Sequence, residues 1–301
     1  GETYVVFGSN AGFSASMELS SLNGSNGFVL NGVDSSDGSG RSVSSAGDVN
    51  GDGIDDILVG AYGASPNGIS SGETYVVFGS TTGFSASLEL SSLDGSNGFV
   101  LNGIDIIDYS GISVSSADDV NGDGIDDILV GASGAGPNGV QSGETYVVFG
   151  SNAGFSASME LAGLNGSNGF VFEGIDSNDV GGFSVSAAGD VNGDGIDDIL
   201  IGAYQADPNG NASGESYVVF GSDAGFSASF ELSSLDGNNG FVLNGIDSHD
   251  YSGFSVSAAG DINGDDVDDI LIGAYGASPN AIVSGETYVV FGSNAGFSAS
   301  M

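Results

Sequence analysis

The sequence predicts an all-β protein built from tandem units of 71 residues, each unit folding as a small sheet of four strands. Short β-branched and aromatic runs alternate with glycine-rich turns, and no segment has a sustained helical period. The pattern Gly-Glu-Thr/Ser-Tyr-Val-Val-Phe-Gly also recurs every 71 residues, beginning at Gly1, Gly72, Gly143, Gly214 and Gly285. We therefore expect residues 1–301 to form one repeat domain.

The second unit illustrates the four strand candidates. Three of them are Tyr75–Phe78, Gly98–Gly103 and Ile112–Ser115. The fourth, Asp127–Gly131, continues into an apolar run that is typical of a strand buried on both faces. A short helical turn is expected within residues 84–93. Four short strands per tandem unit are typical of a β-propeller blade, and stacking on the next blade would bury its apolar face. Such blades form either a closed propeller or an open array.

Composition excludes several classes of protein. The chain has 40 Asp and Glu against a single Lys or Arg, which gives a formal net charge of −39. Such a polyanion repels nucleic acids and anionic membrane surfaces, and it lacks the cationic groups that hold phosphates. There is no apolar stretch long enough for direct membrane insertion, and the absence of Cys excludes disulfides and thiolate metal sites. Hydrophobic residues make up 40 %, which suffices for a core.

Each unit also carries a nine-residue acidic loop. The four acidic loops are Asp48–Asp56, Asp119–Asp127, Asp190–Asp198 and Asp261–Asp269. Side-chain oxygens stand at loop positions 1, 3, 5 and 9, and Gly stands at position 6 except for Asp266 in the fourth loop. This spacing suits Ca²⁺ better than Mg²⁺, which demands tighter octahedral geometry. An apolar residue at position 12 (Val59, Val130, Ile201, Ile272) excludes a standard EF-hand.

We predict one calcium ion per acidic loop, about four in all. The predicted ligands are side chains at positions 1, 3, 5 and 9 and the carbonyl at position 7: Asp48, Asn50, Asp52, Ile54, Asp56; Asp119, Asn121, Asp123, Ile125, Asp127; Asp190, Asn192, Asp194, Ile196, Asp198; Asp261, Asn263, Asp265, Val267, Asp269. Asp55, at position 8, is expected to face solvent or to support a ligand. The fourth loop is expected to bind with altered affinity, because Asp tolerates a left-handed backbone less well than Gly.

Two other sets of acidic residues allow more than one interpretation. The pairs Asp34/Asp37, Asp105/Asp108, Asp176/Asp179 and Asp247/Asp250 could form accessory cation sites or interface patches, but Asx-type turns are favoured. The glutamates Glu2, Glu73, Glu144, Glu215 and Glu286 precede equivalent strands, so their environments should be alike. Acid–base catalysis needs carboxyl groups in unlike environments, and we therefore predict no enzymatic activity and no catalytic residues.

The run from Gly111 to Ala132 resembles an FG-GAP repeat, the calcium-binding blade of integrin α-subunit propellers and of bacterial, including cyanobacterial, surface proteins. In this chain Ser or Gly replaces the Phe of the first motif, as in Ser110-Gly111, and the second motif reads Gly131-Ala132-Ser133. The resemblance implies that each acidic loop joins the first and second strands of a blade. One third strand, at residues 1–8 or 285–292, is then an extra copy. Four blades could close if the N-terminal fourth strand completed the last one.

The sequence therefore predicts a calcium-stabilised, secreted, structural or adhesive repeat protein at the cell surface, assembling end to end through terminal strands or repeat surfaces. The alternative is a monomeric glycan- or protein-binding propeller module of a larger surface protein. Its candidate contact residues are Tyr62, Tyr109, Tyr204, Tyr251 and Tyr275. Because no initiator Met is present, we expect the chain to be a processed or partial piece of a longer protein.

Overall fold

The computed structural model describes residues 1–301 as a row of five packed β-sheets. The strands fall into five sets with equivalent positions in the repeat. First strands are β3 (Ser42–Gly47), β8 (Ser113–Asp118), β13 (Ser184–Gly189) and β18 (Ser252–Gly260); second strands are β4 (Asp56–Ala61), β9 (Asp127–Ala132), β14 (Asp198–Ala203) and β19 (Asp269–Ala274). Third strands are β1 (Glu2–Val6), β5 (Glu73–Val77), β10 (Glu144–Val148), β15 (Glu215–Val219) and β20 (Glu286–Val290). Fourth strands are β2 (Gly27–Asn31), β7 (Gly98–Asn102), β12 (Gly169–Glu173) and β17 (Gly240–Asn244), and short strands are β6 (Ser87–Glu89), β11 (Ser158–Glu160) and β16 (Ser229–Glu231).

Each complete sheet is an antiparallel meander of four strands extended by a fifth, as in the order β3-β4-β5-β7-β11. The fifth strand comes from the following unit and runs parallel to the fourth strand, with Met159 opposite Leu101. The sheet β13-β14-β15-β17 has no fifth strand; a single parallel bridge between Val242 and Ser300 stands in its position. The all-β prediction of tandem four-stranded blades is confirmed, and the short fifth strand links each blade to its successor.

The predicted strands of the second unit match the structure to within about three residues, the largest difference being the end of Ser113–Asp118. The predicted helical turn is a single 3₁₀ turn at Leu90–Ser92, repeated at Leu19–Ser21, Leu161–Gly163 and Leu232–Ser234. The prediction missed the short strand β6, because three residues are too few to show an alternating pattern. None of these three-residue helices has the length and apolar character of a membrane span.

The hydrophobic cores lie between successive sheets. Leu58 and Val76 of one sheet pack against Val130 and Tyr146 of the next in a cluster of 15 buried residues. A phenylalanine pair recurs in each core: Phe99 of a fourth strand stacks on Phe155 of the following unit, with ring centroids 4.2 Å apart and planes at 8°. Because apolar area is buried between units, each blade depends on its neighbours for stability.

The row of sheets is open at both ends. The N-terminal sheet has the order β1-β2-β6 and the C-terminal sheet the order β18-β19-β20. The N-terminal fourth strand, β2, pairs with β1 and β6 and not with β20, so it does not complete the last blade. The side chains at the ends are uncovered as a result: Tyr4 of β1 is 41 % exposed, whereas its equivalent Tyr146 is 1 % exposed.

Candidate metal loops

The acidic loops join the first and second strands of each sheet, as the resemblance implied. In the first loop the Asp48 carboxylate accepts hydrogen bonds from the backbone N–H of Asp52 (3.0 Å) and of Gly53 (2.7 Å). The same bonds recur at position 1 of the other three loops, at 2.8 to 3.1 Å. The carboxylate therefore closes the loop on itself and holds the turn in a fixed conformation.

The position-9 carboxylates are the most buried acidic groups of the loops, with Asp127, Asp198 and Asp269 at 0 % exposure and Asp56 at 1 %. In the third loop, Asp198 Oδ1 accepts the N–H of Gly221 (2.9 Å) and Oδ2 accepts the N–H of Val191 (3.0 Å). Gly221 follows the third strand, so this one side chain connects the acidic loop to two strands of the sheet.

Burial and neighbouring acids raise the pKa of three of these carboxyls. Burial raises the pKa of Asp127 and Asp198 to about 8 and that of Asp56 to about 7. The backbone N–H bonds act in the opposite direction, and the carboxylates at positions 1 and 5 add to the increase. A positive charge among these oxygens would offset the increase in pKa, because it favours the ionised form that desolvation and like-charge repulsion penalise.

The side chains at positions 3 and 5 also bond within the loop. Asp194 Oδ1 accepts the N–H of Ile196 (3.0 Å). The Asn121 amide donates to Asp127, with nitrogen–oxygen distances of 3.1 and 3.3 Å, and so places positions 3 and 9 side by side. No group of three His, Cys, Asp or Glu side chains is arranged to hold a metal ion. The predicted ligands thus share one loop, and in this structure their side-chain oxygens accept hydrogen bonds from backbone amides of the same loop.

The donor set fits a hard cation. Each loop offers only oxygen ligands, and its turn is the one that such a site requires. Asp266, the substituted position 6 of the fourth loop, has φ 66°, in the same left-handed region as Gly53 at 86°. The fourth loop therefore keeps the same turn with a carboxylate in place of glycine.

The position-8 aspartates have a role that the sequence did not reveal. Asp126 Oδ2 accepts the N–H of Asp48, 78 residues earlier, at 2.7 Å. The equivalent bonds join Asp197 to Asp119 (3.1 Å) and Asp268 to Asp190 (3.0 Å). Solvent exposure or support of a ligand was expected at this position, whereas three of the four carboxylates hold the acidic loop of the preceding unit. No local pattern could indicate this contact.

Asp118 is a point of strain beside these bonds. It has φ 55°, whereas Gly47, Gly189 and Gly260 fill the position in the other units. Burial and the carboxylates of Asp126 and Asp268 raise its pKa. We expect Asp118→Gly to stabilise the protein by about 1 kcal/mol, since it removes both left-handed strain and like-charge repulsion. Chemical denaturation measures the change.

The reverse substitution, Gly189→Asp, is the matched control. A Cβ at Gly189 would lie 2.2 Å from Asp268 Oδ2, so this variant should lose stability. Equal stability of Asp118→Gly and wild type would show that the second unit already accommodates the aspartate.

The recurring acidic pairs form turns. Asp37 Oδ2 accepts the N–H of Asp34 at 3.0 Å, and the equivalent bonds in the other units measure 2.9 to 3.3 Å. Each carboxylate thus bonds to the residue three positions earlier, whereas the expected Asx turn bonds two residues onward, so the pairs form turns of a different geometry. The glutamates of the third strands accept hydrogen bonds from tyrosine hydroxyls two residues later, such as Tyr217 to Glu215 at 2.6 Å.

The calcium-free protein should be more stable at pH 5 than at pH 8. Burial raises the pKa of Glu144 to about 7 and that of Asp179 to about 6. Because these values, like those of Asp56, Asp127 and Asp198, lie above the ordinary values of 4.5 and 3.8, the folded state binds protons more tightly. The stabilisation is complete below about pH 4 and is lost as the pH rises to about 8.

Melting temperatures of protein stripped of calcium, recorded from pH 5 to pH 8, test this expectation. Glu144→Gln should reduce the slope, because it removes one of the titrating groups. A melting temperature that rises with pH would contradict the burial of these carboxyls.

The five candidate tyrosines lie in loops, either directly after a second strand (Tyr62, Tyr204, Tyr275) or shortly before a first strand (Tyr109, Tyr251). The rings of Tyr251 and Tyr275 are stacked, 5.1 Å apart with planes at 9°, and Tyr204 lies 6.1 Å from Tyr251. Tyr62 and Tyr109 form a separate pair at 5.9 Å. The structure thus brings the five tyrosines into two groups rather than into one surface.

Sheets stacked in tandem, each with an acidic loop between its first two strands, define a repeat protein of the β-propeller blade class. The FG-GAP repeat family model matches residues 39–77, 110–148, 181–219 and 252–290. The chain belongs to the FG-GAP repeat family. Each matched range contains one acidic loop together with the first three strands of its sheet.

Similar proteins include integrin α chains. The chain is 29 % identical to integrin alpha-PS2 of Drosophila melanogaster over 204 residues and to integrin alpha-IIb of Mus musculus over 201 residues. It is also 29 % identical to integrin alpha-4 of Xenopus laevis over 172 residues. These matches cover 64 %, 63 % and 56 % of this chain but only 14 %, 17 % and 14 % of the respective relatives. The chain therefore corresponds to a small part of those proteins.

Proposed function

We propose that this chain is a calcium-stabilised structural or adhesive repeat protein that acts outside the cell and is not an enzyme. The observation that carries the proposal is the fourfold recurrence of a loop with carboxylates at positions 1, 5 and 9, the last of them buried, and no cation from the protein nearby. The similarity to integrin α chains supports an adhesive role. Equivalent carboxyls have equivalent partners in every unit, which disfavours the specialised pair that acid–base catalysis needs.

Calcium would stabilise the fold by offsetting the negative charge of the acidic loops. Four ions would change the formal net charge from −39 to −31, and they would act where the carboxylates are closest together. A ligand that binds only the folded state stabilises it by about 2.7 kcal/mol per site at a hundredfold excess over Kd. Extracellular calcium modules have Kd values of about 10⁻⁴ to 10⁻³ M, which suits millimolar calcium outside the cell.

End-to-end association is the second part of the proposal. It is supported by the uncovered apolar faces: Val289 of β20 is 45 % exposed and Val43 of β3 is 52 % exposed, whereas Val76 and Val114 at equivalent positions are 0 % and 6 % exposed. Residues 285–301 also repeat residues 1–17 letter for letter. Because β20 has the same sequence as β1, β20 of one copy could replace β1 beside β2 of a second copy, in the register that β2 has with β1, which would complete the last sheet by strand exchange.

Sedimentation and melting temperature, measured together from calcium-free buffer to about 10 mM calcium, test both parts. A higher melting temperature with calcium-dependent oligomers supports the whole proposal. A higher melting temperature of a strict monomer retains the calcium sites and refutes the end-to-end association. No response to calcium refutes calcium stabilisation.

A second candidate function is the binding of a glycan or protein ligand by a monomeric module. The observation that favours it is the stacked pair of Tyr251 and Tyr275 with Tyr204 beside it, since exposed aromatic rings provide rigid contact surface. In a glycan array, concentrated binding that Tyr275→Ala abolishes and Tyr62→Ala retains would support this function. Uniform absence of binding would count against a glycan ligand.

A further inference from the structure

We propose that the position-8 aspartates Asp126, Asp197 and Asp268 couple cation binding in neighbouring acidic loops, so that each loop is positioned by the next. The inference rests on the proposed calcium binding. It adds that the loops do not fill independently, and it identifies the groups responsible for the coupling.

The first connection is the direct bond between loops. Asp126 Oδ2 accepts the N–H of Asp48 at 2.7 Å, and Asp48 is the residue whose carboxylate closes the first loop. Asp126 immediately precedes Asp127, the buried position-9 carboxylate of the second loop. A cation that fixes Asp127 therefore also restricts Asp126, and through it the backbone at the start of the first loop.

The second connection runs through the end of a third strand. Asp127 Oδ1 accepts the N–H of Gly150 at 2.9 Å, and the next residue, Ser151, donates its N–H to the carbonyl of Val49 at 2.8 Å. Val49 is position 2 of the first loop. The other two interfaces repeat the contact between Ser222 and Val120 at 2.9 Å and between Ser293 and Val191 at 2.8 Å.

The N–H of Asp48 and the carbonyl of Val49, at the start of the first loop, are thus both bonded by groups of the following unit. Glycine makes the close approach feasible: at Gly47, with φ 71°, a Cβ would lie 2.2 Å from Asp126 Oδ2. Two independent connections between the same pair of loops, present at all three interfaces, indicate coupling rather than an incidental contact. By linkage the effect is reciprocal, so each loop also favours binding in its successor.

A matched control exists within the chain. Asp55 occupies position 8 of the first loop, and within residues 1–301 no earlier acidic loop stands before it. Removal of the Asp55 carboxylate reports what position 8 does for its own loop. Removal of the Asp126 carboxylate adds the loss of the bond to the preceding loop.

The test is hydrogen exchange in peptides covering residues 48–56, recorded during calcium titration of the 301-residue chain and its variants. We expect Asp126→Ala to need about tenfold more calcium than wild type for protection of residues 48–56. Asp55→Ala should need much less additional calcium for that segment than Asp126→Ala. Asp126→Asn keeps an acceptor oxygen and should restore part of the wild-type response. Protection of residues 261–269 is the internal control for folding.

Protection of residues 48–56 at wild-type calcium concentration in Asp126→Ala would overturn the inference while leaving calcium binding intact. An increase of equal size in Asp55→Ala would overturn it as well, because the effect would then be confined to each loop. Absence of calcium-dependent protection in wild type would refute calcium binding itself, and with it both proposals.

Discussion

Asp198→Ala is expected to destabilise the protein by about 4 kcal/mol even without calcium. The Asp198 side chain is fully buried and accepts the backbone N–H groups of Val191 and Gly221. Truncation leaves the N–H of Gly221 without a partner and leaves the N–H of Val191 only the carbonyl of Gly189, at 3.1 Å, and each lost buried bond costs about 1 to 3 kcal/mol. Asp198→Asn keeps one acceptor and should lose roughly half as much. Urea denaturation of calcium-free protein measures these differences.

Asp194→Ala is the control in the same loop. Its carboxylate is exposed and accepts only the N–H of Ile196, so its loss should cost less than about 1 kcal/mol without calcium. Both alanine variants should lose the calcium-dependent stabilisation of the third loop. Equal stability of the two variants in calcium-free buffer would contradict the structural role of position 9. Full calcium response in Asp194→Ala would contradict the ligand assignment at position 5.

Gly202→Ala is expected to destabilise the packing of two blades by about 3 kcal/mol. A Cβ at Gly202 would lie 2.0 Å from the carbonyl oxygen of Gly253 in the following unit. Both groups belong to backbone, so no side chain can rotate away, and relief requires the sheets to separate. Fewer contacts between sheets should follow, since the buried core lies at this interface. The free energy of unfolding and the cooperativity of the transition report the change.

The equivalent Gly273→Ala separates this clash from the general cost of alanine in a strand. There a Cβ would lie 2.4 Å from the side-chain oxygen of Ser255, which can rotate, and 3.4 Å from the nearest backbone atom. We expect a loss below about 1 kcal/mol. If both variants lose the same stability, the close approach between successive blades does not determine the effect.

Much of the fold follows from local sequence. The pattern around Tyr75 marks a third strand because β-branched and aromatic residues stand between glycines, and the observed strand Glu73–Val77 overlaps it. The loop Asp119–Asp127 is equally legible, because its turn depends on residues within nine positions of one another. The short strand at Ser158–Glu160 was missed because its pairing with β7 depends on the preceding unit and not on its own composition.

The sequence by itself determined the period of 71 residues, the strand order within a unit and the position of each acidic loop. These features are set by interactions within a few residues, which leave a readable pattern. Only the tertiary structure decided that the sheets form an open row, that Asp126 holds Asp48, and that Asp198 connects its acidic loop to the end of a third strand. Such contacts join residues that are far apart in the chain, and they arise only when neighbouring blades bury their apolar faces together.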